Sequence, residues 1–179
     1  PAPIGERTAE EEKVIDQLEA VGYLSGSRDA PAHNGVTVHI PDRTCPGFNL
    51  YTAGHAPEAI LMDMAGSVLH KWSCDFRRIW PGRRFYPGSH NHEFWRRVHL
   101  LGNGDLLAIF EGLGLVKLGK DSNIVWAFSG KAHHDLEVTA EGMIYVLTRT
   151  AHIDPTYNPT KPILEDYISI LDPDGIEVD

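Results

Sequence analysis

A short hairpin recurs along this chain. Residues 61–72, 115–126 and 168–178 each carry an apolar run, a polar turn built on Asp, Gly, Ser or Asn, and a returning apolar run. A second hairpin type alternates with the first, at 99–109 around Gly102-Asn103-Gly104-Asp105 and at 137–147 around Thr139-Ala140-Glu141-Gly142. Short β-branched or alternating runs separated by such turns define an antiparallel β chain. The first hairpin type ends in Trp72 and again in Trp126, which are read as packing residues at matching positions of a repeat.

Two hairpins per unit make a four-stranded sheet, and units of this kind stacked around an axis form a β-propeller. The expected fold is therefore all-β, a partial β-propeller of about three four-stranded blades with a short N-terminal helix. The competing all-β arrangement is a sandwich whose hairpins resemble one another by coincidence. Expected strands are 36–40, 49–53, 59–64, 67–72, 95–101, 105–111, 114–118, 124–128, 135–139, 143–150 and 167–171, with no second helix. The helix is expected over 8–21, with Thr8 as N-cap, Glu10, Glu11 and Glu12 in its first turn and Val14, Ile15, Leu18 and Val21 on one stripe. It reads as an appendage, joined through a Gly, Ser and Pro-rich linker over 25–35. The division is thus 1–35, helix and linker, and 36–179, incomplete propeller.

Composition narrows the partners. Sixteen Lys and Arg stand against 25 Asp and Glu, a formal charge of −9, which disfavours sequence-independent binding to nucleic acid or to an anionic membrane. No apolar run approaches the ~20 residues needed to span a bilayer. The sequence opens on Pro1 and not Met. It reads as a processed or incomplete chain, before which an export signal or a membrane anchor has room to stand. Cys45 and Cys74 allow one disulfide or none, and neither belongs to a Cys-x-x-Cys pair.

Chemistry concentrates at strand ends. Lys131-Ala132-His133-His134-Asp135 sets two imidazoles and a carboxylate before a strand, where polar groups are held by the core behind them. The alternative is a histidine that caps its own turn while its neighbour faces solvent. His55, His90, His92 and His152 also fall in loops or at strand ends, and Arg149 follows a strand directly as an oxyanion donor or an ion-pair partner. His90-Asn91-His92-Glu93 has the His-x-His spacing of a metal pair, a weak signal, and no metal site is expected. Arg77, Arg78, Arg83 and Arg84 interleave with Phe76, Trp80, Phe85 and Tyr86 in a long loop over 77–93. That loop is read either as a dock for an anionic aromatic or a protein, or as a rim loop with its aromatics tucked inward. Nucleotide loops and the Gly-x-Ser-x-Gly elbow are absent, so no cofactor is expected.

Gly22-Tyr23-Leu24-Ser25-Gly26, residues 50–59 around Gly54-His55-Ala56-Pro57, the Val68-Leu69-His70-Lys71-Trp72 ending and Ala132-His133-His134-Asp135 together resemble the N-terminal half of bacterial arylsulfotransferase-like proteins. The similarity spans nearly the whole chain, although quinoprotein-type propellers share much of the hairpin pattern. It implies a six-bladed propeller, of which this chain supplies the early blades. It also implies a periplasmic or extracellular location and, where the full propeller is present, transfer of a sulfuryl group between phenols through a sulfated histidine. Such chemistry needs an unprotonated nitrogen as nucleophile and cationic donors for the sulfuryl oxygens. His133, His134 and Arg149 are the catalytic candidates and His55, His90 and His92 the substrate-binding ones. The partners expected are a small aromatic sulfate or phenol, and a protein or C-terminal half that completes the ring. The alternative from another class is a non-catalytic propeller subunit of a larger, membrane-associated complex, motivated by the missing blades and by edges that need a cover.

Overall fold

The computed structural model describes residues 8–19, 32, 35–84 and 89–178. The chain is built from three antiparallel meanders. β1 (Phe48–Thr52), β2 (Glu58–Asp63) and β3 (Val68–Ser73) form the first sheet, in that order. β4 (Arg97–Leu100), β5 (Leu106–Phe110), β6 (Gly114–Leu118) and β7 (Ile124–Phe128) form the second. β8 (Ala132–Val138), β9 (Ile144–His152) and β10 (Ile163–Leu171) form the third, and a single bridge from Leu171 to Glu177 begins a return beyond β10. The all-β expectation holds. Only the middle sheet has the four strands expected of each unit, and the three sheets do not close on one another.

Five of the turns are copies of one another. In each, the first residue's carbonyl accepts from the N–H three residues on, and its own N–H donates to the carbonyl four residues on. The pairs are Asp63 with Gly66 and Ser67, Leu101 with Gly104 and Asp105, Gly119 with Ser122 and Asn123, Thr139 with Gly142 and Met143, and Asp172 with Gly175 and Ile176. The fourth residue is left-handed each time: Gly66 at φ +90°, Gly104 at +89°, Ser122 at +61°, Gly142 at +87° and Gly175 at +81°. This is the three-residue hairpin with a left-handed bulge residue, which explains why glycine fills four of the five positions. Asp63 and Asp172 strengthen their turns with Oδ1, each accepting two further backbone N–H groups at 2.8–3.0 Å.

Side-chain alternation then stacks the sheets. On β5, Leu106, Ala108 and Phe110 enter a core shared with Ala59 and Trp72 of the first sheet, while Leu107 and Ile109 enter another shared with Leu136, Ile144 and Val146 of the third. All five residues of β5 are fully buried, so the middle sheet has no wet face at its centre. Trp72 packs in the first core, and Trp126 lines the second with its indole N–H donating to the Pro173 carbonyl at 3.1 Å. Both tryptophans are packing residues, as their repeat positions imply.

Three expectations need correction. Residues 36–40 alternate like a strand yet pair with no strand among the described residues and precede a 3-10 turn over Pro41–Arg43; four of the five are exposed. A short helix, α2, forms at Phe76–Ile79 where none is expected, started by Asp75, whose carboxylate accepts from the Arg77 N–H at 2.7 Å. The N-terminal helix, α1 (Ala9–Glu19), lies against β9 with Ile15 buried instead of standing apart as an appendage. Thr8 caps it as expected, in a reciprocal box with Glu11. Most of the 25–35 linker, Val21, Phe85 and Tyr86 lie outside the described residues. Cys45 and Cys74 are both free thiols.

Phe110 tests this architecture. Its ring sits 5.2 Å from Phe76 and 6.2 Å from Trp95, edge to face with each, in the core that joins the first two sheets. Phe110→Ala is expected to cost about 3–5 kcal/mol in urea unfolding, the range for a fully buried aromatic. An exposed control on the first sheet, Val68→Ala, should stay within about 0.5 kcal/mol.

Candidate functional site

The polar cluster of the molecule begins with a fault in strand pairing. Along β8 and β9 the register runs from Ala132 opposite Thr148 to Leu136 opposite Val146, so four steps on β8 meet two on β9. Three residues of β8, His133, His134 and Asp135, thus stand opposite one of β9, Leu147, and form a bulge with two residues in surplus. Adjacent side chains on a regular strand point to opposite faces; a bulge removes that rule. Lys131 at φ +57° and His134 at φ +59° supply the left-handed turns that make it. As a result the rings of His133 and His134 stand together, centroids 4.8 Å apart and nearly perpendicular.

The turn between β5 and β6 supplies the third member. Glu111 follows the last buried residue of β5, and its side chain is 5% exposed. The next residue, Gly112, donates its N–H to the Ala132 carbonyl at 2.8 Å, which ties this turn to the start of β8. Glu111 Oε2 accepts from the His134 backbone N–H at 3.0 Å and lies 4.0 Å from Arg96 Nε; Oε1 is 3.0 Å from His134 Nδ1. Asn91, itself buried, donates its side-chain amide to the Glu111 carbonyl at 2.8 Å. A buried carboxylate, a left-handed histidine and a bulge therefore hold one another in place.

Arg149 completes the group from β9. It is 2% exposed, and its guanidinium occupies the space a side chain at Gly112 would need, with Cζ 3.0 Å and Nε 3.1 Å from where a Cβ would stand. His133 is also buried, and Asp166 of β10 reaches it with Oδ1 3.1 Å from Nε2. That approach meets the distance of a hydrogen bond without its alignment, so neither ring nitrogen of His133 is hydrogen-bonded. Burial pushes the His133 imidazole below its ordinary pKa; the Asp166 carboxylate opposes this and Arg149 reinforces it. His134, with a side chain 36% exposed, faces the outside.

The three catalytic candidates, His133, His134 and Arg149, come together. The substrate-binding candidates do not. His55 lies in the turn between β1 and β2, 3.0 Å from Glu58, which also binds Lys71. His90 and His92 flank Asn91 and so adjoin the cluster through the backbone, but both turn to Glu93, at 3.0 and 3.9 Å. His152 pairs with Glu165 at 3.3 Å. In the basic aromatic loop, Phe76 is buried and Trp80 packs on Phe76 and Phe110, while Arg83 donates to the Leu113 carbonyl at 2.6 Å. The described aromatics of that loop belong to the core. Glu111, Gly112, Asn91 and Asp166 were not singled out from sequence; the Glu-Gly step directly after an apolar strand was the available signal for the first two.

No protein-family model matches this chain, and no curated protein does. No described helix is long and apolar enough to cross a membrane.

Two tests follow from the packing. Gly112 has φ +68° besides its contact with Arg149, so Gly112→Ala is expected to cost at least ~1–2 kcal/mol and to displace the guanidinium, read by urea unfolding and by a crystal structure of the variant. His92, packed against Phe76, is likewise pushed below its ordinary 6.5 by burial, with Glu93 opposing. In the window below 6.5 the unfolded chain takes up the proton first, so stability falls as pH falls until the folded-state pKa is passed. His92→Gln should flatten the stability–pH slope there by at most ~1.4 kcal/mol per pH unit.

Proposed function

We propose that this chain is a segment of an arylsulfotransferase-like β-propeller, and that the Glu111, His133, His134 and Arg149 cluster transfers a sulfuryl group between phenols. The observation that carries the reading is the convergence of a carboxylate-held, partly exposed imidazole with a buried guanidinium beside a second, buried imidazole. Glu111 Oε1 beside His134 Nδ1 favours the tautomer with its proton on Nδ1, which places the lone pair on Nε2. That lone pair attacks sulfur of an aryl sulfate, the S–O bond to the aryl oxygen breaks, and the phenolate leaves. The acceptor phenol's oxygen then attacks the same sulfur, the N–S bond breaks, and the acceptor's proton passes to the first phenolate. Arg149 offsets charge on the sulfuryl oxygens. The three stacked meanders and their repeated turns support the propeller, and export to the periplasm accords with this class of protein.

A second reading is a non-catalytic module within a larger assembly. It is favoured by the outer face of the third sheet, where Tyr145, Leu147 and Ile168 line a shallow hollow of about 230 Å³. Both faces of the middle sheet are covered by sheets of like construction, and a further sheet of that kind is the fitting cover for this face.

The two readings part on activity. With p-nitrophenyl sulfate as donor, phenol-dependent release of p-nitrophenolate is expected, and His134→Ala should lower it by ~10²-fold or more with little change in melting temperature. Equal activity in His134→Ala and the parent would exclude the transfer role. Absence of activity in the parent, with stable association to a second protein through the third sheet, would favour the module.

A further inference from the structure

We infer that Glu111, His133 and His134 form a binding site for one divalent transition-metal ion of the zinc type. Two imidazoles and one carboxylate are the donor set such ions take when coordination positions are left open for water or substrate. One donor atom from each of the three residues lies within 4.8 Å of the others, and among the described residues no other group of three gathers so closely. Ligands around a tetrahedral zinc stand roughly 3.3 Å apart, given metal–nitrogen bonds of about 2.0–2.1 Å. Glu111 Oε1 and His134 Nδ1 already stand at 3.0 Å, so the remaining closure is a short rotation of side chains on a bulge.

An independent observation points to a ligand at this place. His133 is 3% exposed, yet neither of its ring nitrogens is hydrogen-bonded. Buried polar atoms left in this state are destabilising, and a bound cation would satisfy them. Asp166 stands outside the three donors, 3.1 Å from His133 Nε2, as the carboxylate that commonly orients a ligating imidazole from behind. Arg96, half exposed at 4.0 Å from Glu111 Oε2, and Arg149 oppose a cation; the carboxylates of Glu111 and Asp166 offset them. His90, His92 and Glu93 are the rival set, and their donor atoms are not gathered to the same degree.

The metal site stands on its donor atoms and does not rest on sulfuryl transfer. An imidazole whose lone pair is held by a metal cannot attack sulfur, so under the transfer reading the ion is an inhibitor. The test uses untagged chain stripped with chelator and titrated with Zn²⁺ by calorimetry and with Co²⁺ by visible absorption. One equivalent per chain is expected, with the Co²⁺ spectrum of nitrogen and oxygen ligation. Glu111→Gln and His134→Ala should each weaken binding by at least about 10-fold, and Asp166→Asn, at an exposed residue, by about 10–100-fold. His39→Ala, on an exposed histidine elsewhere, should leave binding unchanged. Failure of the parent chain to bind saturably, or full binding by the folded Glu111→Gln and Asp166→Asn variants, would overturn the site.

Discussion

Burial of β5 on both faces is the constraint on which the remainder of the molecule depends. A strand whose five residues are all fully buried must be covered on either side. Its odd and even residues accordingly belong to different cores, one shared with the first sheet and one with the third. That double covering fixes the stacking order of the three meanders. It also decides where β5 ends, because Glu111 is the first residue whose side chain leaves the apolar layers, and it does so at the seam between the second and third sheets.

The polar cluster grows out of that seam. Gly112 reaches the start of β8 through a backbone hydrogen bond, and β8 responds with two surplus residues that turn both histidines to one place. A left-handed histidine costs of order 1–3 kcal/mol relative to an ordinary conformation, which persists only where neighbours over-determine it. Here the Glu111 carboxylate does so, accepting from the His134 backbone and standing beside its ring. The glycine that permits the turn also leaves the room in which Arg149 lies. Scaffold and chemistry are therefore coupled at residues 111–112, where a single side chain changes both.

Much of this was readable in the sequence, for identifiable reasons. The hairpins were, because each turn announces its left-handed position with glycine or a small polar residue and brackets it with apolar runs. The stretch 36–40 misled, since alternation of Val36, Val38 and Ile40 specifies a strand only when a partner exists. Asp75 before Phe76 is a capping signal, yet four residues of helix carry too little periodicity to be recognised. The gathering of His133 and His134 was expected only as adjacency. Regular pleating would have parted them, and the bulge that unites them depends on a contact with Gly112 some twenty residues away in sequence. Glu111 looked like the end of a strand for the same reason, and Asp166 became part of the site because β10 begins at Ile163, four residues earlier than its apolar pattern suggests.

The central claim is that this bulge presents His134 as the nucleophile of a sulfuryl transfer. It is tested most directly by trapping the intermediate: the chain is mixed with an aryl sulfate in the absence of acceptor phenol, quenched, digested and examined by mass spectrometry. The account predicts one added sulfuryl group on the peptide that contains His134, lost when phenol is supplied and absent from His134→Ala. Phenol-dependent transfer that proceeds with no such adduct, or with the adduct on a histidine outside the cluster, would contradict it.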